Sequence, residues 1–218
     1  MFENREQAGR MLARALEEYR SKDPVIVALP RGGVAVGYEV ARHLGAPLDV
    51  RVCKKIGAPG DPELAVAALT EEGRLLYDPG RLRLLGVDVA YLHACARRLL
   101  PEIQGRLAGL RGAAPRRSLR DRTVILVDDG LATGATMEAA VYAARQEHAR
   151  EVVVAVPVGP PDTVERLARL ADRVVCLEQP WPFLALGQFY RDFRQMDDDE
   201  VRRLLEEAAS WSEVPGSA

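Results

Sequence analysis

At 218 residues the chain has length for one domain with a well-buried core, or for one domain carrying a small appendage. Hydrophobic residues make up 48% and charged residues 28%, with 30 basic side chains against 32 acidic, which points to a globular protein and away from nucleic acid as a partner. Cys53, Cys95 and Cys176 are far apart without CxxC or Cys/His spacing, and no run reaches the roughly 18 apolar residues of a membrane span, so a reduced cytoplasmic setting without disulfides, zinc or membrane contact is expected.

In chain order, Asn4 and Gln7 make a candidate capping box for a helix whose Ala8, Met11, Leu12, Ala15, Leu16 and Tyr19 recur at helical spacing. "PVIVALP" (24–30) reads as a short strand ending in "RGG", followed by a helix over 34–45 stopped by Gly45. "LDVRVCKK" (48–55) is expected as a second strand and "IGAPGDPE" (56–63) as a Gly/Pro-rich loop. Residues 64–78 suggest a strand pair turning at Glu72-Gly73. Over 88–110 one helical face carries Leu92, Ala96, Leu99, Ile103, Leu107 and Leu110, with Pro101 either kinking the helix or starting a second one. "TVILVDD" (123–129), "EVVVAVPV" (151–158) and "RVVCL" (173–177) are further apolar strands, separated by helical segments at 135–149 and 162–171. Short, almost wholly apolar strands alternating with helices predict an α/β fold, a mainly parallel sheet covered on both faces. From residue 179 the composition shifts toward Pro and aromatic residues, and "DDDE" (197–200) reads as the cap of a final helix.

The string "VILVDDGLATGAT" (124–136) places two adjacent carboxylates at the end of a buried strand and then a loop of small residues and threonines. In a parallel sheet, ligands sit beyond the carboxyl ends of the strands. Gly130 to Thr136 are small enough for backbone N–H groups to turn toward an anion, and the helix starting near Ala135 aims its positive end at the same place. Carboxylates beside such a cup make sense if they hold sugar hydroxyls or a divalent cation, so a phosphorylated sugar is the natural ligand.

This string resembles the phosphoribosyl-pyrophosphate signature of type I phosphoribosyltransferases, in which hydrophobic residues precede two acidic residues and a Thr-Gly-x-Thr loop. "ALPRGG" (28–33) looks like the pyrophosphate loop of that family, and the chain as a whole is similar to phosphoribosyltransferase-domain proteins that share "KIGAPG", "VDDG.ATGAT" and a "FY.DF" tail. The resemblance implies a mainly parallel twisted sheet of about five strands flanked by helices, with residues 1–178 as core and 179–218 as a small C-terminal hood or tail. It implies Mg²⁺ as cofactor, phosphoribosyl pyrophosphate as substrate, and a nitrogen nucleophile of nucleobase type as acceptor. Asp128 and Asp129 would be the catalytic carboxylates, holding the ribose hydroxyls and, directly or through water, Mg²⁺. Gly130, Ala132, Thr133, Gly134, Ala135 and Thr136 would line the substrate, with Thr133, Gly134 and Thr136 at the 5'-phosphate. Arg31 and Gly32 would face the pyrophosphate, joined by Lys54 and Lys55 at the end of the second strand. The family's pyrophosphate loop also carries a non-proline cis peptide before its two glycines, which falls here at Pro30–Arg31.

One departure is informative. Enzymes for hypoxanthine and guanine carry an acidic residue just before the Thr-Gly pair, where this chain has Ala132, so neither base is an expected acceptor. The acceptor is expected under a hood, for which Trp181, Phe183, Phe189, Tyr190 and Phe193 are the candidates rich in stacking groups. His43, His93 and His148 lie on helical segments and receive no role. A non-catalytic sensor or regulator that binds phosphoribosyl pyrophosphate stays open as the alternative, and so does a homodimer.

Overall fold

In the computed structural model, which describes residues 1–111 and 116–211, the chain opens with α1 (Arg5–Ala15). Asn4 caps it by accepting from the Gln7 N–H, but Gln7 answers through the N–H of Glu3 (2.7 Å) rather than that of Asn4, so the expected box is displaced by one residue. After a 3₁₀ turn come β1 (Val25–Ala28), α2 (Gly32–Leu44) and β2 (Leu48–Val50). An inserted unit follows: β3 (Lys54–Ala58), β4 (Asp61–Leu69), β5 (Leu75–Leu76), α3 (Pro79–Leu84) and α4 (Val89–Arg111). The core resumes with β6 (Thr123–Val127), α5 (Ala135–Gln146), β7 (Glu151–Val158), α6 (Pro161–Ala168) and β8 (Arg173–Glu178), and the tail ends in α7 (Asp198–Ser210).

The five core strands form one wholly parallel sheet in the order β2-β1-β6-β7-β8. Period-two alternation decides which helices each side chain meets. Ile26, Ile125 and Val153 pack with Leu12 of α1, with Leu16 just past its end, and with Val36 and Val40 of α2. Their neighbours Val27, Leu126 and Val154 point to the other face, against Met137 and Val141 of α5 and Leu167 of α6. Burial of each large aliphatic side chain contributes about 1.5–3 kcal/mol, which is why such runs settle only in the centre of a two-faced sheet. No helix among the described residues is long and apolar enough to cross a membrane.

The inserted unit departs from the expected elements. The run 48–55 is not one strand: β2 ends at Val50, and Lys54 and Lys55 open β3 in a separate three-stranded antiparallel sheet, β3-β4-β5. The break falls at Arg51, whose buried guanidinium pairs with Asp49 (3.2 Å) and with Glu71 (3.1 Å) at the end of β4, drawing the chain away from the parallel sheet. The expected loop at 56–63 is largely a hairpin, because β3 reaches Ala58 and β4 begins at Asp61; bulges around Ile56, Gly57 and Ala58 absorb the Gly/Pro content. The strand pair after it turns near Gly73 as expected. α4 runs unbroken through Pro101, with Leu92, Ala96 and Ile103 of its apolar face packed beneath the small sheet.

β1 is the topological centre. The chain leaves it over α2 to β2 on one side, while β6 pairs with it on the other. The crevice for a ligand therefore opens where the carboxyl ends of β1 and β6 meet.

Candidate functional site

The two strings singled out in the sequence meet at that crevice. "LPRGG" leaves β1, with the Leu29 N–H donating to the Val127 carbonyl (2.9 Å), and "DDGLATGAT" leaves β6. The Pro30–Arg31 peptide is cis. The loops approach so closely that a Cβ at Gly32 would lie 1.8 Å from Asp129 Oδ2 and 2.8 Å from Arg5 Nε, a separation only glycine permits. Gly134 sits at φ +73° as the N-cap of α5. Ala132, Thr133 and Thr136 are exposed toward solvent, and Gly134 is buried behind them. α6 braces this loop: Thr163 Oγ1 donates to the Ala132 carbonyl (3.1 Å), and the Arg166 guanidinium donates to the Thr133 carbonyl and pairs with Glu138.

Both helices that begin at the crevice lack a side-chain cap. α2 starts at Arg31 and α5 at Gly134, neither of which caps its helix with its own side chain, although Thr133 Oγ1 accepts a long bond from the Ala135 N–H (3.5 Å); α6 likewise starts without a cap, whereas α1, α3 and α7 are capped by Asn4, Asp78 and Asp197. Their positive dipole ends lie at the carboxyl ends of β1 and β6, the arrangement that binds anions.

The two carboxylates differ in their surroundings. Asp129 is buried and paired with Arg5, Nε to Oδ2 at 2.7 Å. Asp128 is half-buried, and its Oδ1 accepts the N–H of Asp129 (2.9 Å). Burial, and then the neighbouring Asp129 charge, hold the Asp128 carboxyl well above the ordinary carboxylate range, with Arg5 a smaller opposing influence. Among the described residues no group of three His, Cys, Asp or Glu side chains stands close enough to cage a metal. The donor set fits Mg²⁺ all the same, because Mg²⁺ takes one or two carboxylates and completes its octahedron with water and phosphate oxygens.

The remaining sequence-predicted residues lie around this centre in ways their spacing did not show. Arg31 faces Asp198 at the start of α7 (3.7 Å), and the expected cap at 197–200 is a full capping box between Asp197 and Glu200. Lys54 is held by Glu102 of α4 (2.5 Å), and Lys55 lines a cavity of about 490 Å³ between β4, β5 and α5. Of the tail aromatics, Tyr190 is buried, Phe183, Phe189 and Phe193 are half-buried against Phe2 and Val158, and Trp181 stands exposed. Three residues of the site were not legible in the sequence: Arg5, Arg166, and Arg106 of α4, which donates to the Pro30 carbonyl (3.2 Å); Tyr190, expected as a stacking group, instead donates its hydroxyl to the Asp129 carbonyl (2.6 Å). The one sequence signal for these arginines is that 27 of the 30 basic side chains are arginine, which does not say which of them are buried.

Comparison with known proteins agrees with this geometry. Residues 3–191 match the family model of the phosphoribosyl transferase domain. A protein of Mycobacterium tuberculosis (strain H37Rv) named as a phosphoribosyl transferase, Rv0571c, is 46% identical over 208 residues, covering 95% of this chain and 47% of its own length; its counterpart MT0597 in strain CDC 1551 matches equally. The chain thus spans about half the length of these curated relatives. The crystal structure of TT1426 from Thermus thermophilus superposes with a TM-score of 0.90 at 45% identity, covering 95% of this chain and 98% of that one. The match over residues 3–191 and the close relatives place this chain in the phosphoribosyl transferase domain family.

Proposed function

We propose that the chain is a cytoplasmic phosphoribosyltransferase that uses phosphoribosyl pyrophosphate and Mg²⁺ to move a 5-phosphoribosyl group onto a nitrogen nucleophile of nucleobase type. The anomeric C–O bond to pyrophosphate breaks, a C–N bond to the acceptor forms, and the acceptor nitrogen gives up its proton. The observation that carries this reading is the pair of uncapped helix starts, at Arg31 and Gly134, on either side of Asp128 and Asp129 at one switch point. Two anion cups flanking two carboxylates match a ligand with a phosphate at one end, a pyrophosphate at the other and a diol between them.

In this reading Thr133, Gly134 and Thr136 take the 5'-phosphate, with Gly130, Ala132 and Ala135 shaping the loop. Arg31 and Gly32 take the pyrophosphate. Asp129, oriented by its pairing with Arg5, holds ribose hydroxyls. Asp128 would hold Mg²⁺, directly or through water, where such an ion would supply positive charge to offset that of the leaving group. Catalysis is then positioning and charge stabilisation, with no covalent role for the protein. Lys54 and Lys55, on the hairpin β3-β4, are the basic residues proposed to join Arg31 and Gly32 at the pyrophosphate.

The test is to follow pyrophosphate release from phosphoribosyl pyrophosphate and Mg²⁺ across a panel of nucleobases and amines, beside a thermal-shift measurement of binding. Mg²⁺-dependent stabilisation with release for at least one acceptor is the expected outcome. Hypoxanthine and guanine are expected to be poor acceptors, given Ala132. Binding without turnover of any acceptor identifies a sensor, and absence of binding overturns the assignment.

A further inference from the structure

The first and last parts of the phosphoribosyl transferase domain meet directly behind Asp129. Phe2 forms a parallel bridge with Tyr190: its N–H donates to the Phe189 carbonyl (2.8 Å), and its carbonyl accepts from the Arg191 N–H (2.9 Å). Three residues further on, Arg5 enters the interior with a residual exposure of 9%. Its Nε donates to Asp129 Oδ2 (2.7 Å), its Nη1 donates to the Arg194 carbonyl (2.8 Å), and its guanidinium carbon lies 4.0 Å from the centre of the Phe193 ring. Phe193 stacks on Tyr190 at 4.9 Å and 25°, and the Tyr190 hydroxyl donates to the backbone carbonyl of Asp129 itself (2.6 Å). Side chain and backbone of Asp129 are thus gripped by two parts of one assembly.

A buried ion pair is a poor device for stability alone, since apolar groups of similar volume usually do as well. What it supplies that apolar packing cannot is a carboxylate held at a fixed angle. The guanidinium is fixed by two hydrogen bonds in its plane and a ring against its face, a match that the point charge of lysine cannot reproduce. Gly32 leaves the room that this pairing occupies.

We propose that Arg5 is a positioning residue for the ribose-binding carboxylate Asp129, and that Tyr190, Phe193 and the Arg194 carbonyl form the brace that orients it. By holding Oδ2, Arg5 fixes the angle at which the carboxylate would meet a ribose hydroxyl. The aromatic tail then acts as a support behind the sugar site. The proposal rests on the phosphoribosyl reading of the site.

Calorimetric titration with ribose 5-phosphate and, separately, with inorganic pyrophosphate tests it, because only the first ligand carries the ribose. Wild-type protein that binds neither ligand overturns the functional reading, and the positioning role with it, before any variant is made. With binding in hand, Arg5→Gln is expected to weaken ribose 5-phosphate by about tenfold or more while pyrophosphate stays within about twofold, and to raise KM for phosphoribosyl pyrophosphate more than it lowers kcat. Arg5→Lys recovers part of the loss. In the double substitution Arg5→Gln with Asp129→Asn, the loss is no greater than for Asp129→Asn alone, since both act through one carboxylate. Tyr190→Phe keeps the packing and is expected to cost about threefold in ribose 5-phosphate affinity alone, so it reads the brace even where Arg5→Gln fails to fold. Equal losses for both ligands in a folded variant, or unchanged ribose 5-phosphate affinity in both Arg5→Gln and Tyr190→Phe, overturn the positioning role.

Discussion

The loop that leaves β1 and the loop that leaves β6 meet at one crevice but are held in opposite ways. The first is fixed by distant parts of the chain: Arg106 of α4 donates to the Pro30 carbonyl, Asp198 of α7 faces Arg31, and the Arg5–Asp129 pair fills the space beside Gly32. The second divides: at its start Asp129 is held by Arg5 and Tyr190 from the two ends of the domain, while its later part is braced by α6, through Thr163 and Arg166. In the proposed reading, the pyrophosphate loop and the ribose carboxylate depend on the inserted unit and both ends of the domain being in place, while the 5'-phosphate end of the second loop leans on α6. Losses on the first side should spread to the whole fold; losses on the second should stay local.

The largest expected effect is that of Gly32→Ala, whose methyl group would have to displace Asp129 and Arg5 together. Overpacking of this kind typically costs about 1–3 kcal/mol, and the added loss of a buried ion pair brings the expected destabilisation to the upper end of that range. Chemical denaturation should show it, and Mg²⁺-dependent binding of phosphoribosyl pyrophosphate should fall by about 100-fold or more. Binding within a few-fold of wild type would remove the distinction between the two loops.

Asp128→Asn separates stability from function. Because the Asp128 carboxyl is raised above its ordinary value of 3.8, the folded chain binds that proton more tightly than the unfolded chain does. Stability contributed by the proton is complete below the ordinary value and is lost as pH rises toward the folded one. The asparagine keeps an oxygen for the Asp129 N–H and removes the buried charge, so the unliganded variant should melt above wild type at neutral pH, with the gain shrinking as pH falls to the carboxylate range. Ligand binding should be lost in the same protein. A melting temperature equal to wild type at all pH values contradicts the account of Asp128.

Gly134→Ala tests the locally held loop. Its φ of +73° costs an L side chain about 1–2 kcal/mol, and the new Cβ would fall 2.6 Å from Thr163 Cγ2. Affinity for the 5'-phosphate should drop about tenfold, with pyrophosphate binding preserved. Arg166→Ala should be the mildest, about 0.5–1.5 kcal/mol, since it removes a hydrogen bond from a side chain that is 46% exposed. A loss of pyrophosphate affinity in either variant would show that the two sides are coupled after all.

The same contrast governs what could be read from the sequence. β1, β6 and β7 were legible because unbroken aliphatic runs have few places to go other than the middle of a covered sheet, and the crevice was legible because small residues and carboxylates follow two such runs directly. The border between β2 and β3 was not, since 48–55 looks continuous until Arg51 is seen to pair with Glu71, 20 residues away. The hairpin at 56–63 was hidden because Gly and Pro mark bulges as readily as loops. Arg5 read as one more polar position on an amphipathic helix. Its partner lies 124 residues away, and no local pattern of spacing encodes a contact at that distance.

The grip on Asp129 also sets an order in time. Within the domain Arg5 is synthesised well before its partners, and the carbonyl its Nη1 meets comes 189 residues later. Helices and the first parallel strands can form while the chain is still emerging, but the carboxylate cannot be locked in place until the aromatic tail has left the ribosome. A nascent chain halted short of Tyr190 would carry both signature loops without the brace behind Asp129.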